Sequence, residues 1–407
     1  MRVFYVTMEF PSPSETFATN EVRVLSRHGI DVTVHGLRSR HPDALRLATE
    51  RSVAEIKTTH NGLTASLRGT LAALRRPKRL VDALTWVVRR NRHNARALWR
   101  NLVLLPRAFD ICSAIERQRP DVVHMYWGHF PTLVGYQVQR HLATVVTSLS
   151  IVAYDLEREY GGTVDVARRA DVIRTHASVN TDHIVRFTGV DKERVIVIYN
   201  GVDTAWVRRI SDGRAKVRHR VLTAGRLTQS KGMREVITAF AKIRARWTDA
   251  SLVVVGDGVD RATLESLCIS HQLSDAVQFL GHVSHQRVAE EMAKAEVFLL
   301  LSRSIGERLP NVVKEAMACR CVCITTETPG IAELVKHEIT GFVVEPRDEA
   351  AVCNAVDDVF AGRIDVSEMT AKAVEHIEQS FDVERTAIRY ADLWQAAIRL
   401  RTVGAAD

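Results

Sequence analysis

Val297-Phe-Leu-Leu-Leu301-Ser-Arg-Ser-Ile-Gly306-Glu307-Arg308-Leu309-Pro310-Asn311-Val312-Val-Lys-Glu315-Ala-Met-Ala318 passes from an apolar strand-like run, through a polar loop, into a segment that reads as a helix starting just after Pro310. Proline suits the first turn of a helix, where its missing N–H costs nothing. One carboxylate, Glu307, stands before the helix, and a second, Glu315, is expected two turns into it. The helix N-terminus between them has free N–H groups and the positive end of the peptide dipole, a seat for phosphate. Acids on either side of a phosphate seat can grip the hydroxyls of polyols. Sugar, phosphate and ribose in one grip describe a nucleotide-sugar donor, and hence a sugar-transferring enzyme.

The same strand-then-helix rhythm extends outward in both directions. Strand patterns lie at Arg2–Thr7, Asp31–Leu37, Val122–Met125, Thr144–Leu149, Val172–Thr175 and Val195–Tyr199, then at Arg220–Ala224, Ser251–Val255, Val277–Leu280, Val297–Leu301, Cys321–Thr325 and Gly341–Val344. Alternation with amphipathic helical stretches argues for parallel α/β sheets, and two comparable series argue for two doubly wound domains in tandem. Asn200-Gly-Val-Asp203 reads as the turn and hinge between them. Open α/β sheets bind ligands at the carboxyl ends of their strands, so two facing sheets would place donor and acceptor across a cleft.

The chain has 407 residues, 46% hydrophobic and 26% charged, an ordinary globular composition with room for two domains. Met1–Thr7 reads as a strand and not as a signal peptide, and no run approaches the roughly 20 apolar residues of a membrane span, so a cytoplasmic location is expected. Cys319, Cys321 and Cys323 alternate along an apolar stretch, which favours packing on one strand face over metal or redox spacing. Residues 38–107 hold 16 Lys/Arg against 4 Asp/Glu, a local excess larger than the net charge of +8. Within them Leu63–Leu74 and Leu80–Leu105 carry Leu, Val and Trp at helical spacing among arginines. They read as a basic amphipathic insertion for an anionic membrane surface, or as a solvated helix pair packed on the domain. No nucleic-acid reader motif is present, and nucleic acid is not expected as a partner.

After the strand Arg220–Ala224 comes Gly225-Arg226-Leu-Thr-Gln-Ser-Lys231-Gly232, two cations in a strand-to-helix loop. Fixed cations of this kind can neutralise a departing nucleotide diphosphate. No Asp-x-Asp metal motif occurs in the chain, so no metal or other cofactor is expected. Val253-Val-Val-Gly256-Asp-Gly258 imitates a dinucleotide fingerprint, but no acid ends the next strand to hold a ribose, and a tight strand-to-helix turn is its reading.

Gly225-Arg-Leu…Lys-Gly, Val255-Gly-Asp-Gly258, Phe279-Leu-Gly281, Glu307…Pro-Asn-Val-Val-Lys-Glu315-Ala-Met-Ala, Pro329-Gly-Ile-Ala-Glu-Leu334 and Thr340-Gly-Phe-Val-Val344 together resemble family 4 of the retaining GT-B glycosyltransferases. Phe10-Pro-Ser-Pro-Ser-Glu-Thr-Phe-Ala-Thr-Asn-Glu21 and Asp121-Val-Val-His-Met-Tyr-Trp-Gly-His-Phe-Pro131 look like its bacterial exopolysaccharide branch, of colanic-acid type. The resemblance covers nearly all the chain outside the basic segment. It implies an acceptor-side Rossmann-like domain over 1–200, a donor domain over 201–381, and a C-terminal helix over 382–407 that crosses back to the first domain. Arg226 and Lys231 would hold the diphosphate, Glu307 the transferred sugar and its oxocarbenium-like transition state, and Glu315 the ribose. Gly225, Leu309, Pro310, Asn311 and Val312 complete the donor site implied by the match, with the amides of Leu309, Asn311 and Val312 meeting the distal phosphate. The acceptor would be a lipid-linked saccharide or similar, met at the inner face of the cell membrane. A nucleotide-sugar epimerase of the same architecture and an inactive donor-binding subunit are the competing readings.

Three departures from the family pattern stand out. Arg308 replaces the usual glycine after the first glutamate, Val152 replaces a histidine in Val152-Ala-Tyr-Asp155, and Ser12-Pro-Ser-Glu-Thr16 replaces a glycine-rich loop. Glu15, His129, Tyr154 and Asp155 are therefore the acceptor-side candidates, each with a plain structural role as the alternative.

Overall fold

The structure, a computed structural model, describes every residue except 14, 143, 304–306 and 404–407, so Ser14 and Gly306 of the motifs above lie outside the described residues. The chain divides into two compact units, Met1–Gly201 with Val383–Asp407, and Val202–Asp382.

The first unit is built on a seven-stranded parallel sheet of β1 (Arg2–Thr7), β2 (Asp31–Gly36), β3 (Thr58–Thr59), β4 (Val122–Met125), β5 (Val146–Ser150), β6 (Val172–Thr175) and β7 (Val195–Val197), in the order β3-β2-β1-β4-β5-β6-β7. The second carries β8 (Arg220–Ala224), β9 (Ser251–Val255), β10 (Val277–Gly281), β11 (Val297–Leu300), β12 (Val322–Thr326) and β13 (Phe342–Val344), ordered β10-β9-β8-β11-β12-β13. Helices cover both faces of such sheets, which is why Val3–Val6 and Val297–Leu300 are continuous buried runs without polar alternation. In each sheet the order reverses beside the first strand, at β1/β4 and at β8/β11. Loops diverge there and leave a crevice at the carboxyl ends. Two Rossmann-like sheets are therefore present.

Several boundaries differ from the sequence reading. β5 and β12 start later because the amides of Val145 and Cys321 close the preceding turns onto the carbonyls of Leu142 and Ala316. β3 was not foreseen, since two threonines carry no periodic signal. The stretch Leu80–Leu105 is two helices, Pro77–Asn91 and Ala95–Gln118, because Asn94 caps the second by accepting from the Ala97 amide at 2.9 Å.

The basic segment is not a detached insertion. β3 pairs with β2, and Arg107 is buried, donating to the Gly36 carbonyl at 3.0 Å and pairing with Asp110. Trp86 stacks on Tyr136 with ring centroids 4.1 Å apart. The helix Leu63–Leu74 lies directly on Ala95–Gln118, because a Cβ at Gly69 would fall 1.7 Å from the Pro106 carbonyl oxygen. Its other side stays open: Leu63, Leu67, Leu71 and Leu74 are 53–78% exposed.

The helix Val383–Val403 packs within the first unit, where Tyr390 and Trp394 are fully buried. The Tyr390 hydroxyl sits 3.0 Å from His124 Nδ1 and 3.3 Å from both Ser148 and Ser150. Cys319, Cys321 and Cys323 are all buried, and burial pushes the three thiols up.

Candidate active site

The second unit places its candidates on the loops that leave β8 and β11, the two strands at the reversal. Gly225 follows β8 and donates to the Val255 carbonyl at 3.0 Å, and Leu227 donates to Asp257 at 3.0 Å. The Gly256-Asp-Gly258 turn is shaped for this contact. A Cβ at Gly256 would sit 1.9 Å from the Gly225 carbonyl oxygen, and one at Gly258 would sit 2.3 Å from that of Leu227. This glycine turn braces the loop that presents Arg226, whose side chain is exposed and, among the described residues, pairs with no carboxylate.

Gln229–Lys231 forms a single 3-10 turn that ends at Gly232, where φ is +69° and a Cβ would meet the Leu301 carbonyl oxygen at 1.7 Å. The Ser230 carbonyl accepts from the Arg303 amide at 2.9 Å and from the Ser302 hydroxyl at 3.0 Å. The loops after β8 and β11 are thereby sewn together. The result is an ion pair between Lys231 Nζ and Glu307 Oε1, both largely buried, while Glu307 Oε2 is buried without a hydrogen-bond partner. A buried carboxylate oxygen lacking a donor is costly unless a ligand supplies one.

Leu309 is buried and Pro310 precedes the helix Asn311–Ala318, with extended backbone at φ −63°, ψ 127°. The first amides of that helix, Asn311 and Val312, have no intrahelical acceptor by geometry, and point the positive end of the dipole at the loop. Glu315 is the fifth residue of the helix, so it lies little more than one turn in, closer to the N-terminus than the two turns expected. Its Oε1 is 3.0 Å from His285 Nε2, and the His285 ring stacks on Trp206 with centroids 4.5 Å apart. Sequence reading did not single out either aromatic ring, because each lies on a different helix (Thr204–Ser211 and His285–Lys294) far from the motif. Arg308 is half-buried.

The first unit places its four candidates on the segments that follow β1, β4 and β5: Glu15 and His129 on loops, Tyr154 and Asp155 in the helix after β5. His129 Nδ1 is 2.8 Å from Asp155 Oδ1, and both side chains are buried. The other oxygen of Asp155 accepts from the Val152 amide at 3.0 Å. Asp155 thus caps its own helix, Ala153–Arg158, and fixes the imidazole of the preceding loop, which is the structural reading. Tyr154 lies with its ring 5.6 Å from that of His129, and Trp127 and Tyr160 each lie 5.5 Å from it. These last two were missed, although Trp127 stands in the quoted Tyr-Trp-Gly-His run. Gly128 is closely hemmed in, since a Cβ there would be 3.1 Å from the Asp155 carboxyl carbon and from a Thr163 methyl.

Glu15 precedes the helix Thr16–Arg27. Burial is the main cause that pushes its carboxyl up to about 7, with Glu9 adding to the rise and Arg38 opposing it. The Trp127 indole approaches and lowers it slightly without forming a well-aligned hydrogen bond; Trp127 Nε1 and Glu15 Oε2 are both buried and unsatisfied. An aromatic surface with a fixed imidazole and a carboxyl that titrates near neutrality can bind a hydrophilic ring and its hydroxyls. Among the described residues no group of three His, Cys, Asp or Glu side chains converges as a metal site.

Residues 208–376 match the family model for glycosyl transferases group 1. Over 97% of its length the chain is 25% identical to the whole of a putative colanic acid biosynthesis glycosyltransferase, WcaL, of Salmonella typhimurium. It is 24% identical to the amylovoran biosynthesis glycosyltransferase AmsK of Erwinia amylovora, covering 94% of this chain and 96% of that one. Among solved structures, Anabaena HepE in complex with UDP superposes with a TM-score of 0.72 at 15% identity, covering 97% of this chain and all of the other, which shows a shared fold.

Proposed function

We propose that this chain, a group 1 glycosyl transferase through residues 208–376, moves a sugar from a nucleotide-diphosphate donor to a lipid-linked saccharide in the assembly of a bacterial exopolysaccharide. One observation carries the reading: Lys231 and Glu307 pair across the loops after β8 and β11, the latter leading to the helix Asn311–Ala318, with one oxygen of Glu307 buried and unsatisfied. Relatives named for colanic acid and amylovoran biosynthesis, and a neighbour holding UDP, support the substrate classes.

The diphosphate is seated by Arg226, Lys231 and the amides of Asn311 and Val312, cations and dipole doing the neutralisation a metal does elsewhere. Glu307 Oε2 accepts from a hydroxyl of the transferred sugar, and its charge stabilises the oxocarbenium-like transition state. Glu315 takes the ribose hydroxyls. The bond from the anomeric carbon to the phosphate oxygen breaks, the acceptor oxygen bonds to that carbon from the same face, and the acceptor proton passes to the departing phosphate oxygen. Configuration is retained, and no protein nucleophile is consumed. On the first unit, His129, oriented by Asp155, takes the place of the histidine absent at Val152, and with Glu15, Tyr154 and Trp127 receives the acceptor sugar. The exposed leucines of Leu63–Leu74, set among arginines, supply a peripheral contact with the anionic inner face of the membrane. No helix among the described residues is long and apolar enough to cross a membrane.

The test is incubation with UDP-, GDP- and dTDP-sugars and a membrane lipid extract, with and without EDTA, reading nucleotide release and lipid mass gain. Glu307→Ala should lower turnover by at least about a hundredfold, the scale of losing a transition-state charge contact. Full activity in that variant would overturn the assigned site, and isomerisation of an intact donor would establish an epimerase instead.

A further inference from the structure

A cavity of about 190 Å3 opens on the first unit beside the His129 cluster, and the functional reading above leaves it without an occupant. Met8 follows β1, Arg38 follows β2 and Phe130 follows β4, so the cavity lies at the carboxyl edge of the sheet. The Phe130 ring is 5.4 Å from that of His129, which makes the cavity and the candidate acceptor cluster neighbours. Arg38 also lies close enough to Glu15 to lower its carboxyl.

The lining has two characters. Met8, Leu104 and Phe130 form a buried apolar floor, while Trp99 and Val103 stand at the rim, 67% and 51% exposed. Arg38 and Arg100 complete the wall, both exposed, and neither pairs with a carboxylate among the described residues. The Asn61 amide donates to the Arg38 carbonyl at 2.8 Å, which ties the start of the helix Leu63–Leu74 to the same edge. Leu63, the first leucine of the exposed stripe, follows Asn61 by two residues, and none of the stripe's leucines lines the cavity itself.

An occupant matched to this lining is apolar and anionic in one molecule. A bare saccharide leaves the two guanidinium groups unused and has no long apolar part to lie along the leucines. Inorganic phosphate leaves Trp99 and Val103 in water. We propose that the cavity binds the phosphate-linked end of a long-chain lipid acceptor. Arg38 and Arg100 hold the phosphate or diphosphate, Trp99, Val103 and Leu104 contact the first hydrocarbon units, and the chain leaves along Leu63, Leu67, Leu71 and Leu74. The saccharide beyond the phosphate then reaches the His129 side through Phe130. This inference rests on the reading that the acceptor is lipid-linked.

The probe is dodecyl phosphate below its micellar concentration, with inorganic phosphate and dodecyl maltoside as controls, titrated calorimetrically into the whole protein. Dodecyl phosphate should bind at least about tenfold more tightly than either control, and Arg38→Gln/Arg100→Gln should weaken it by about tenfold or more while Arg38→Lys/Arg100→Lys restores most of the loss. Trp99→Ala should weaken the alkyl phosphate without changing the response to inorganic phosphate. Vesicles of phosphatidylglycerol free of any acceptor separate the two sources of lipid phosphate, and their sedimentation with the glutamine variant should match that with the native chain. Equal affinity for all three probes overturns the proposal, as does a parallel loss of vesicle and dodecyl phosphate binding. Failure of the parent reading shows elsewhere, as absence of nucleotide release from every donor by the native protein.

Discussion

Glu15 shows how much a single position adds to an otherwise ordinary loop. Sequence alone makes it a candidate because Ser12-Pro-Ser-Glu-Thr16 stands where a glycine-rich loop is usual, but only the fold shows its carboxyl desolvated and pushed up to about 7. A carboxyl whose folded value lies above its unfolded one favours the fold below the unfolded value and loses that advantage as pH rises through the folded one. Glu15→Gln removes this dependence. The variant should gain about 2 kcal/mol on the native chain between pH 5 and pH 8, from the integral of a shift of this size. Urea unfolding at the two pH values measures it, and parallel behaviour of the two chains would show that the carboxyl is solvated. Nearby, His129 and Asp155 were named from sequence as separate substitutes, and the fold makes them one hydrogen-bonded pair. Their identity was legible, and their partnership was not, because they stand 26 positions apart with the whole of β5 and a helix between them.

At the scale of elements, the loops after β8 and β11 decide where Lys231 and Glu307 meet. Gly232 is their joint: it has φ of +69° and leaves no room for a Cβ against the Leu301 carbonyl oxygen. Gly232→Ala should cost about 2–4 kcal/mol through left-handed strain and displaced backbone. Nucleotide release at saturating donor should fall further than the unfolded fraction explains, since Lys231 moves with the loop. A variant that loses stability but keeps its turnover per folded molecule would show that the joint serves the core alone. The strands and the helix Asn311–Ala318 were readable because buried parallel strands are written as apolar runs and that helix follows directly on a proline. The basic segment was harder. Helical spacing in Leu63–Leu74 shows a leucine face but not that the opposite face, with Ala65, Gly69 and Ala73, is the one that packs, Gly69 meeting Pro106 in another helix while the leucines stay exposed. Long-range contacts of that kind leave no local periodic mark. The same holds for His285 and Trp206, which reach Glu315 from two other helices.

Across the whole molecule, the two units carry their buried titratable groups unequally. In the first unit His124 is fully buried and held well below its usual range, by burial first and then by Arg174. His35 is pushed down to about 3, again by burial first, with Arg107 and Lys57 adding to the fall and Asp110 opposing it. In the second unit His376 is lowered by burial first, with Lys336 adding to the fall, but it is only half-buried, and its donation from Nε2 to the Glu333 carbonyl at 2.9 Å opposes the shift. A histidine kept neutral by the fold stabilises it above the unfolded value, and that stability drains as pH falls, because the unfolded chain takes up the proton the fold refuses. Two such groups give a slope of at most about 2.7 kcal/mol per pH unit below about 6.5, and Glu15 of the same unit, which gains stability as pH falls from about 7, returns up to about half of it. The loss belongs to the first unit, so acid should separate two transitions that coincide or nearly coincide at neutral pH. Hydrogen exchange followed by mass spectrometry between pH 7 and pH 5, corrected for intrinsic rates, should show protection falling first in β1, β2, β4 and β5 and in the helix Val383–Val403, with β8, β11 and β12 still protected. Uniform loss across both sheets would show that the units unfold as one and that His35 and His124 do not govern the acid limb.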